Sequence, residues 1–309
     1  INGAQFKDLF IFTNNTKNIK KHDGGTGAIA DLGGISAANI TLAKTLEVNN
    51  SHCIIGNVVL SGTRDNKYIA WSDKNAPETW LAATSNLASN MNINETSDEL
   101  LRIKRLGIVN VVYKNKSIWL LLNIGLPFIF VKRLFTEAIG IVGPDAVIEW
   151  NNVHYFVGND LDIYRFDAVR LDSLAARRGI KDYIISQANT NKISRTTTGI
   201  DTEQREIYFT FDRKETSSLV WENKFDVVYH YEEDRFSIRD SIITAMGLYK
   251  QAASIKTIDS HTGIIIDQIG GIPTDLFGVE GIPLFKPIIG NIDGNIYRFN
   301  YIDSFDGSD

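Results

Sequence analysis

Val157–Asp167 reads VGNDLDIYRFD, and Ile289–Asn300 reads IGNIDGNIYRFN. Each stretch carries an apolar residue, then Gly-Asn, a polar turn, and then Ile-Tyr-Arg-Phe. The pattern predicts strand, tight turn, strand. Gly and Asn tolerate the left-handed backbone of short hairpins, and the aromatic and β-branched residues that follow suit a pleated, half-buried strand. Weaker copies occur at Leu9–Lys20, Val111–Leu120, Thr202–Phe211 and Gly62–Ser72, the last with its turn placed at Arg64–Lys67. The Ile or Leu of each outgoing strand falls at Ile19, Ile69, Ile118, Ile163, Ile207, Leu248 and Ile296, spaced by about 50, 49, 45, 44, 41 and 48 residues. A hairpin period in the forties is the signature of four-stranded propeller blades. The expected fold is therefore all-β: a β-propeller of antiparallel four-stranded blades, five to seven in number, with loop insertions. Another sandwich or barrel, or a mixed fold, stays open.

Further hairpins are expected at Val147–Val157, turning at Asn151–Asn152, and at Phe225–Tyr231 with Arg235–Ile238, turning at Glu232–Asp234. Leu101–Gly107 suits a capped short helix or a strand, and Ser241–Ser254 suits a short helix. The glycine-rich His22–Gly34 and the asparagine-rich Thr84–Asp98 read as surface loops. No linker divides the chain, so residues 1–309 are expected to form a single propeller-like domain, with loop insertions near 22–34 and 84–98.

The 309 residues are 43% hydrophobic and 22% charged, which excludes a disordered chain. The net charge of -5 argues against a cationic nucleic-acid binder. Cys53 is the only cysteine, so no internal disulfide forms and the fold rests on packing, as in a reducing compartment. The chain begins at Ile1, and Ile1–Phe12 shows no signal-peptide pattern. The longest apolar stretch, Ile118–Val131, contains Asn123 and Pro127 and is shorter than a membrane span; it reads as two buried strands joined at Gly125–Pro127.

The motifs that could carry chemistry are weak. Gly25–Ala30 fits G-x-G-x-x-A, but no strand enters it directly, and Gly33–Gly34 follow too soon for a phosphate-binding helix. His22, His52, His154, His230 and His261 show no metal-ligand spacing. His154 and His230 read as ordinary strand residues, and adjacent His52 and Cys53 should face opposite sides of one strand. Asn291–Asn295 lacks the glutamate that an EF-hand requires at its twelfth position, which is Ile302 here. Ser72–Trp80 (SDKNAPETW) resembles an Asp-box turn with its Asp one place early and its Gly missing. Lys20–Lys21 and Arg177–Arg178 are isolated basic pairs. No catalytic, cofactor-binding or metal-ligating residue is assigned, and an enzyme is not expected.

Three segments together carry a resemblance: Leu60–Trp80 with its W-S-D…P-E-x-W phrase, Val111–Trp119, and Leu134–Asp167 with IG-x-x-GP-x-A before the hairpin. They resemble the tail nozzle, or tail tubular, proteins of short-tailed, podovirus-like bacteriophages, including hub and stabilisation proteins. The match covers roughly Ile54–Asp167, and departs at Asp167–Ala168, where a Gly after the Asp is more typical. The resemblance implies a structural subunit of a virion tail, assembled in the host cytoplasm and self-associating into a ring, usually a hexamer. Such a ring joins an adaptor ring and sometimes tail fibres, and forms the distal part of the DNA-ejection channel. DNA passes through it without specific binding, and acidic walls suit that passage because a basic lining would hold phosphate. Two other readings remain: a receptor- or glycan-binding propeller using Trp71, Trp80 and Trp150, and a polysaccharide hydrolase, which requires a carboxylate pair at a cleft.

Overall fold

A computed structural model describes residues 2–214, 224–241, 243–250, 285–290 and 296–298. The described residues form five four-stranded sheets and one three-stranded sheet, each a meander in which consecutive strands are neighbours. The first sheet comprises β1 (Asn2–Phe6), β2 (Leu9–Thr13), β3 (Lys20–His22) and β4 (Ala30–Asp31). The second comprises β5 (Ile40–Asn49), β6 (His52–Leu60), β7 (Thr63–Trp71) and β8 (Ser89–Asn92), and the third β9 (Leu100–Leu106), β10 (Val109–Lys114), β11 (Ile118–Asn123) and β12 (Phe130–Thr136). The fourth contains β13 (Val147–Trp150), β14 (Val153–Val157), β15 (Ile163–Phe166) and β16 (Leu171–Ser173). The fifth contains β17 (Thr197–Asp201), β18 (Glu206–Asp212), β19 (Lys224–His230) and β20 (Arg235–Ser241). The sixth is β21 (Ala245–Lys250), β22 (Phe285–Gly290) and β23 (Ile296–Arg298). One short helix, α1 (Lys181–Gln187), follows the fourth sheet. The fold is thus all-β with the blade organisation of a propeller.

The chain divides into two compact units, Ile1–Thr198 with Phe211–Val220, and Gly199–Thr210 with Trp221–Asp309. Within the first unit, each sheet packs on the next. The first strands β1, β5, β9 and β13 approach one another in order, so the sheets share an inner row, as radially arranged blades do. The near-continuous apolar run of β6 follows from this: Cys53 and Ile55 enter the core shared with the first sheet, while Ile54 enters the core shared with the third. A strand covered on both faces cannot alternate with polar residues. Between the third and fourth sheets, Phe135 meets Phe166 edge-on with centroids 4.7 Å apart.

The glycine phrase before the fourth sheet has a steric cause. A Cβ on Gly140 would strike the backbone of Asn115 and Lys116, and one on Gly143 would strike the backbone of Ser194. Ile141 N donates to Lys114 O and Gly140 N to Asn159 Oδ1, so this connection is threaded between two turns.

Several sequence expectations shift. The turn between β6 and β7 is Ser61–Gly62, both with positive φ (49° and 84°), and Arg64–Lys67 lie inside β7. Asn57, also at positive φ, opposes the extra residues of β7 in a bulge, and its Nδ2 donates to Leu100 O at 2.8 Å. A run of polar residues at the exposed end of a strand has the composition of a turn. Leu101–Gly107 resolves as strand β9, and Ala245–Lys250 is strand β21 rather than helix. Thr84–Asp98 is more than a loop: it supplies β8, and Ile93 is fully buried because it closes the core beneath that edge. The spacing series also loses register. Ile69, Ile118, Ile163 and Ile296 lie on third strands, but Ile207 is on a second strand and Leu248 on a first. The turn Asn291–Asn295, His261 and residues 251–254 fall outside the described residues.

Candidate functional site

The connection from β7 to β8 forms a stapled platform. Asp73 N donates to Thr79 O, and the Asp73 carboxylate accepts from Lys74 N at 2.7 Å and Leu87 N at 2.8 Å. Asn86 Oδ1 accepts from Ala83 N and Ala88 N, while its amide donates to Leu81 O. Asp73 is the anchor of the Asp-box-like phrase, and what it ties is backbone. Trp71 and Trp80 are 3% and 4% exposed, with their Nε1 atoms donating to Leu87 O and Pro77 O. These two indoles are core and leave no face for stacking a sugar.

Against this platform stands the loop between β11 and β12, which exposes an apolar tip: Ile124 is 53% exposed, Leu126 76% and Phe128 68%. Tip and platform border a groove of about 670 Å³ lined by Trp71, Leu87, Met91, Leu126, Phe128 and Phe130 among others. The arrangement offers apolar contact and little chemistry. Clustered large apolar side chains left in water mark a contact surface.

The polar clusters are internally tied. Lys114, wholly buried, donates through Nζ to Thr96 O (3.0 Å), Thr96 Oγ1 (2.6 Å) and Ile93 O (3.3 Å), and pairs with Asp98 at 3.1 Å. Burial drives the Asp98 carboxyl up, but the Lys116 N–H, Thr96 and Lys114 together hold it below the ordinary value. Lys21 binds Glu78 at 2.7 Å and lowers its pKa. In the second unit, Glu206 receives Arg239 Nη2 at 2.7 Å and the Tyr208 hydroxyl at 2.5 Å, and His230 Nδ1 lies 3.3 Å away. His230 therefore does more than fill a strand position. His52 and Cys53 face opposite sides as expected: His52 meets the Phe130 ring, and Cys53 enters the other core. Gly25–Ile29 lie in the exposed segment between β3 and β4, and Ala30 opens β4, so the phrase leads into a strand and not a helix. Among the described residues, no three His, Cys, Asp or Glu side chains are grouped to hold a metal, and no helix is long and apolar enough to cross a membrane.

No family description and no curated protein matches the chain. Among solved structures, it is similar to BamB from Moraxella catarrhalis (10% identity over 96% of this chain and 68% of that one, TM-score 0.45). It is also similar to YCF48 solved with a D1 peptide (10% identity, 70% and 63%, TM-score 0.37) and to the AfRom2 CNH domain (7% identity, 97% and 93%, TM-score 0.39). At this level of similarity, none of these proteins' roles transfers to this chain.

Proposed function

We propose that this chain is a structural subunit of the tail nozzle ring of a short-tailed bacteriophage, forming the distal part of the DNA-ejection channel. The observation that carries the reading is the exposed tip Ile124–Leu126–Phe128 beside its groove. An exposed apolar tip and the groove that it borders form one continuous contact patch, which suits burial against a neighbouring subunit of an assembly. The resemblance over Ile54–Asp167 supports the same reading, and Gly140 and Gly143 of its I-G-x-x-G-P phrase sit where backbones approach too closely for a side chain. Polar groups tied to one another and to backbone suit a rigid building block rather than a catalyst. The adaptor ring and fibres would be its partners, DNA would pass without being held, and the virion tail would be its location.

Native mass spectrometry and electron microscopy at assembly concentration test this. The expected result is a closed ring that Leu126→Ser with Phe128→Ser converts to monomer. A chain that stays monomeric and is absent from purified virions overturns the reading. A receptor- or glycan-binding role loses its stacking candidates Trp71 and Trp80 to the core.

A further inference from the structure

A second, smaller pocket of about 220 Å³ lies where the first hairpin turns of adjacent sheets meet, lined by Phe6, Lys7, Val48–Ser51, Asn75 and Arg105. Its walls are held by amides. Asn49 Nδ2 donates to Gly107 O (3.2 Å) and Val109 O (3.3 Å), its Oδ1 accepts from Asn50 N (2.9 Å), and Asn50 Nδ2 donates to Ile108 O (3.0 Å). Asn75 N donates to Ser51 O at 2.8 Å, tying in the β7–β8 connection. The turn between β5 and β6 is thereby clamped to the turn between β9 and β10.

Lys7, Ser51, Asn75 and Arg105, all exposed, line the pocket with side chains that can donate. The Lys7 ammonium, the Arg105 guanidinium, the Ser51 hydroxyl and the Asn75 amide make no hydrogen bond or ion pair among the described residues. No acidic residue lines the pocket. The neighbouring carboxylate, Glu47, is spent on Val48 N (3.1 Å) and Arg105 N (3.2 Å). Two cations and two side chains that can donate, brought from separate parts of the chain, thus line a recess with no carboxylate in its wall.

We propose that this pocket binds one phosphate group. Phosphate offers several acceptor oxygens in different directions, matching donors from separate turns, whereas a carboxylate presents only two in one plane. The guanidinium fork of Arg105 can grip two of those oxygens at once. The volume admits one such group. The inference does not rest on the ring reading.

Calorimetric titration of the intact chain with inorganic phosphate at low salt tests it, beside a matched titration with a single-stranded oligothymidylate. Phosphate should bind, more weakly as salt rises, and Arg105→Ala should weaken it about tenfold or more. Lys7→Asn should weaken it too while keeping the turn, because Asn tolerates the positive φ (51°) at this position. Lys17→Ala, which removes an equal charge from an exposed site outside the pocket, should change nothing. Oligonucleotide binding that falls with Arg105→Ala identifies the source as a nucleic-acid backbone; oligonucleotide binding indifferent to the pocket identifies it as free phosphate. No phosphate binding, an equal loss in Lys17→Ala, or displacement of phosphate by a glutamate peptide better than by sulfate overturns the proposal. Ring formation is read separately and does not enter these outcomes.

Discussion

The hydroxyl of Tyr113 and Nδ1 of His154 lie 2.9 Å apart, joining the second strands of the third and fourth sheets. His154 Nε2 is 2.7 Å from Arg105 O. A carbonyl can only accept, so Nε2 carries the proton, and Nδ1 accepts from the tyrosine hydroxyl. One neutral imidazole thereby pins two packed sheets.

Burial pushes the His154 pKa down to about 3, with the Arg105 carbonyl opposing the shift. The folded state favours neutral imidazole, so this contribution is complete above the unfolded value of about 6.5 and is lost as pH falls toward 3. Urea unfolding midpoints should drop over that window, by up to about 1.4 kcal/mol per pH unit from this group. His154→Gln supplies one donor and one acceptor without titrating, and should flatten the slope.

Lys114, fully buried, pairs with the largely buried Asp98. Asp98→Asn should cost about 3–5 kcal/mol, because it leaves a buried ammonium uncompensated. Lys114→Met with Asp98→Asn should cost less than Asp98→Asn alone. A denaturant double-mutant cycle checks this; simple additivity would show the pair to be uncoupled.

Burial raises the Asp226 pKa to about 6, against the opposing hydrogen bonds from Thr210 and Ser241. The folded state holds the proton more tightly than the unfolded chain. The carboxyl's favourable contribution is therefore full below its ordinary value near 4 and is lost as pH rises through 6. At pH 7.5, Asp226→Asn should stabilise by up to roughly 3 kcal/mol, since each pKa unit is worth about 1.4. The Asn oxygen can still accept from Thr210 Oγ1. The gain should vanish near pH 3.5 in thermal melts.

Ala168 sits at φ 70°, at the position where the resemblance favours glycine. Asp167 Oδ1 closes the turn by accepting from Val169 N at 2.9 Å and Arg170 N at 2.6 Å, which offsets the strain. Ala168→Gly should raise stability by about 0.5–1 kcal/mol, the left-handed penalty less the flexibility glycine adds to the unfolded chain. A lower melting temperature would contradict this.

Gly140→Ala should act in the opposite sense. Its Cβ would meet backbone of the β10–β11 turn, which cannot swing aside as a side chain can. A loss of several kcal/mol is expected, on the order of other overpacking changes or above, read as a lowered urea midpoint.

Local chemistry written in the chain was enough for several of the hairpins, but not for the one between β6 and β7, whose turn is Ser61–Gly62. Asn151–Asn152 turn because both residues accept positive φ (51° and 58°), and the strands that contain Val111, Ile163 and Glu206 follow from their apolar and aromatic runs. These preferences act between near neighbours, so they survive without the rest of the molecule. Which residues shared a core was decided only by tertiary packing. The alternation of β6 between two cores and the burial of Ile93 depend on the sheets stacked to either side. The same holds for both surfaces. The Ile124–Phe128 tip is exposed because its sheet ends there, and the Lys7–Arg105 recess exists because turns distant in sequence meet. Apolar and basic residue types carry no sign of whether a neighbour will cover them, and only the folded chain supplies or withholds that neighbour.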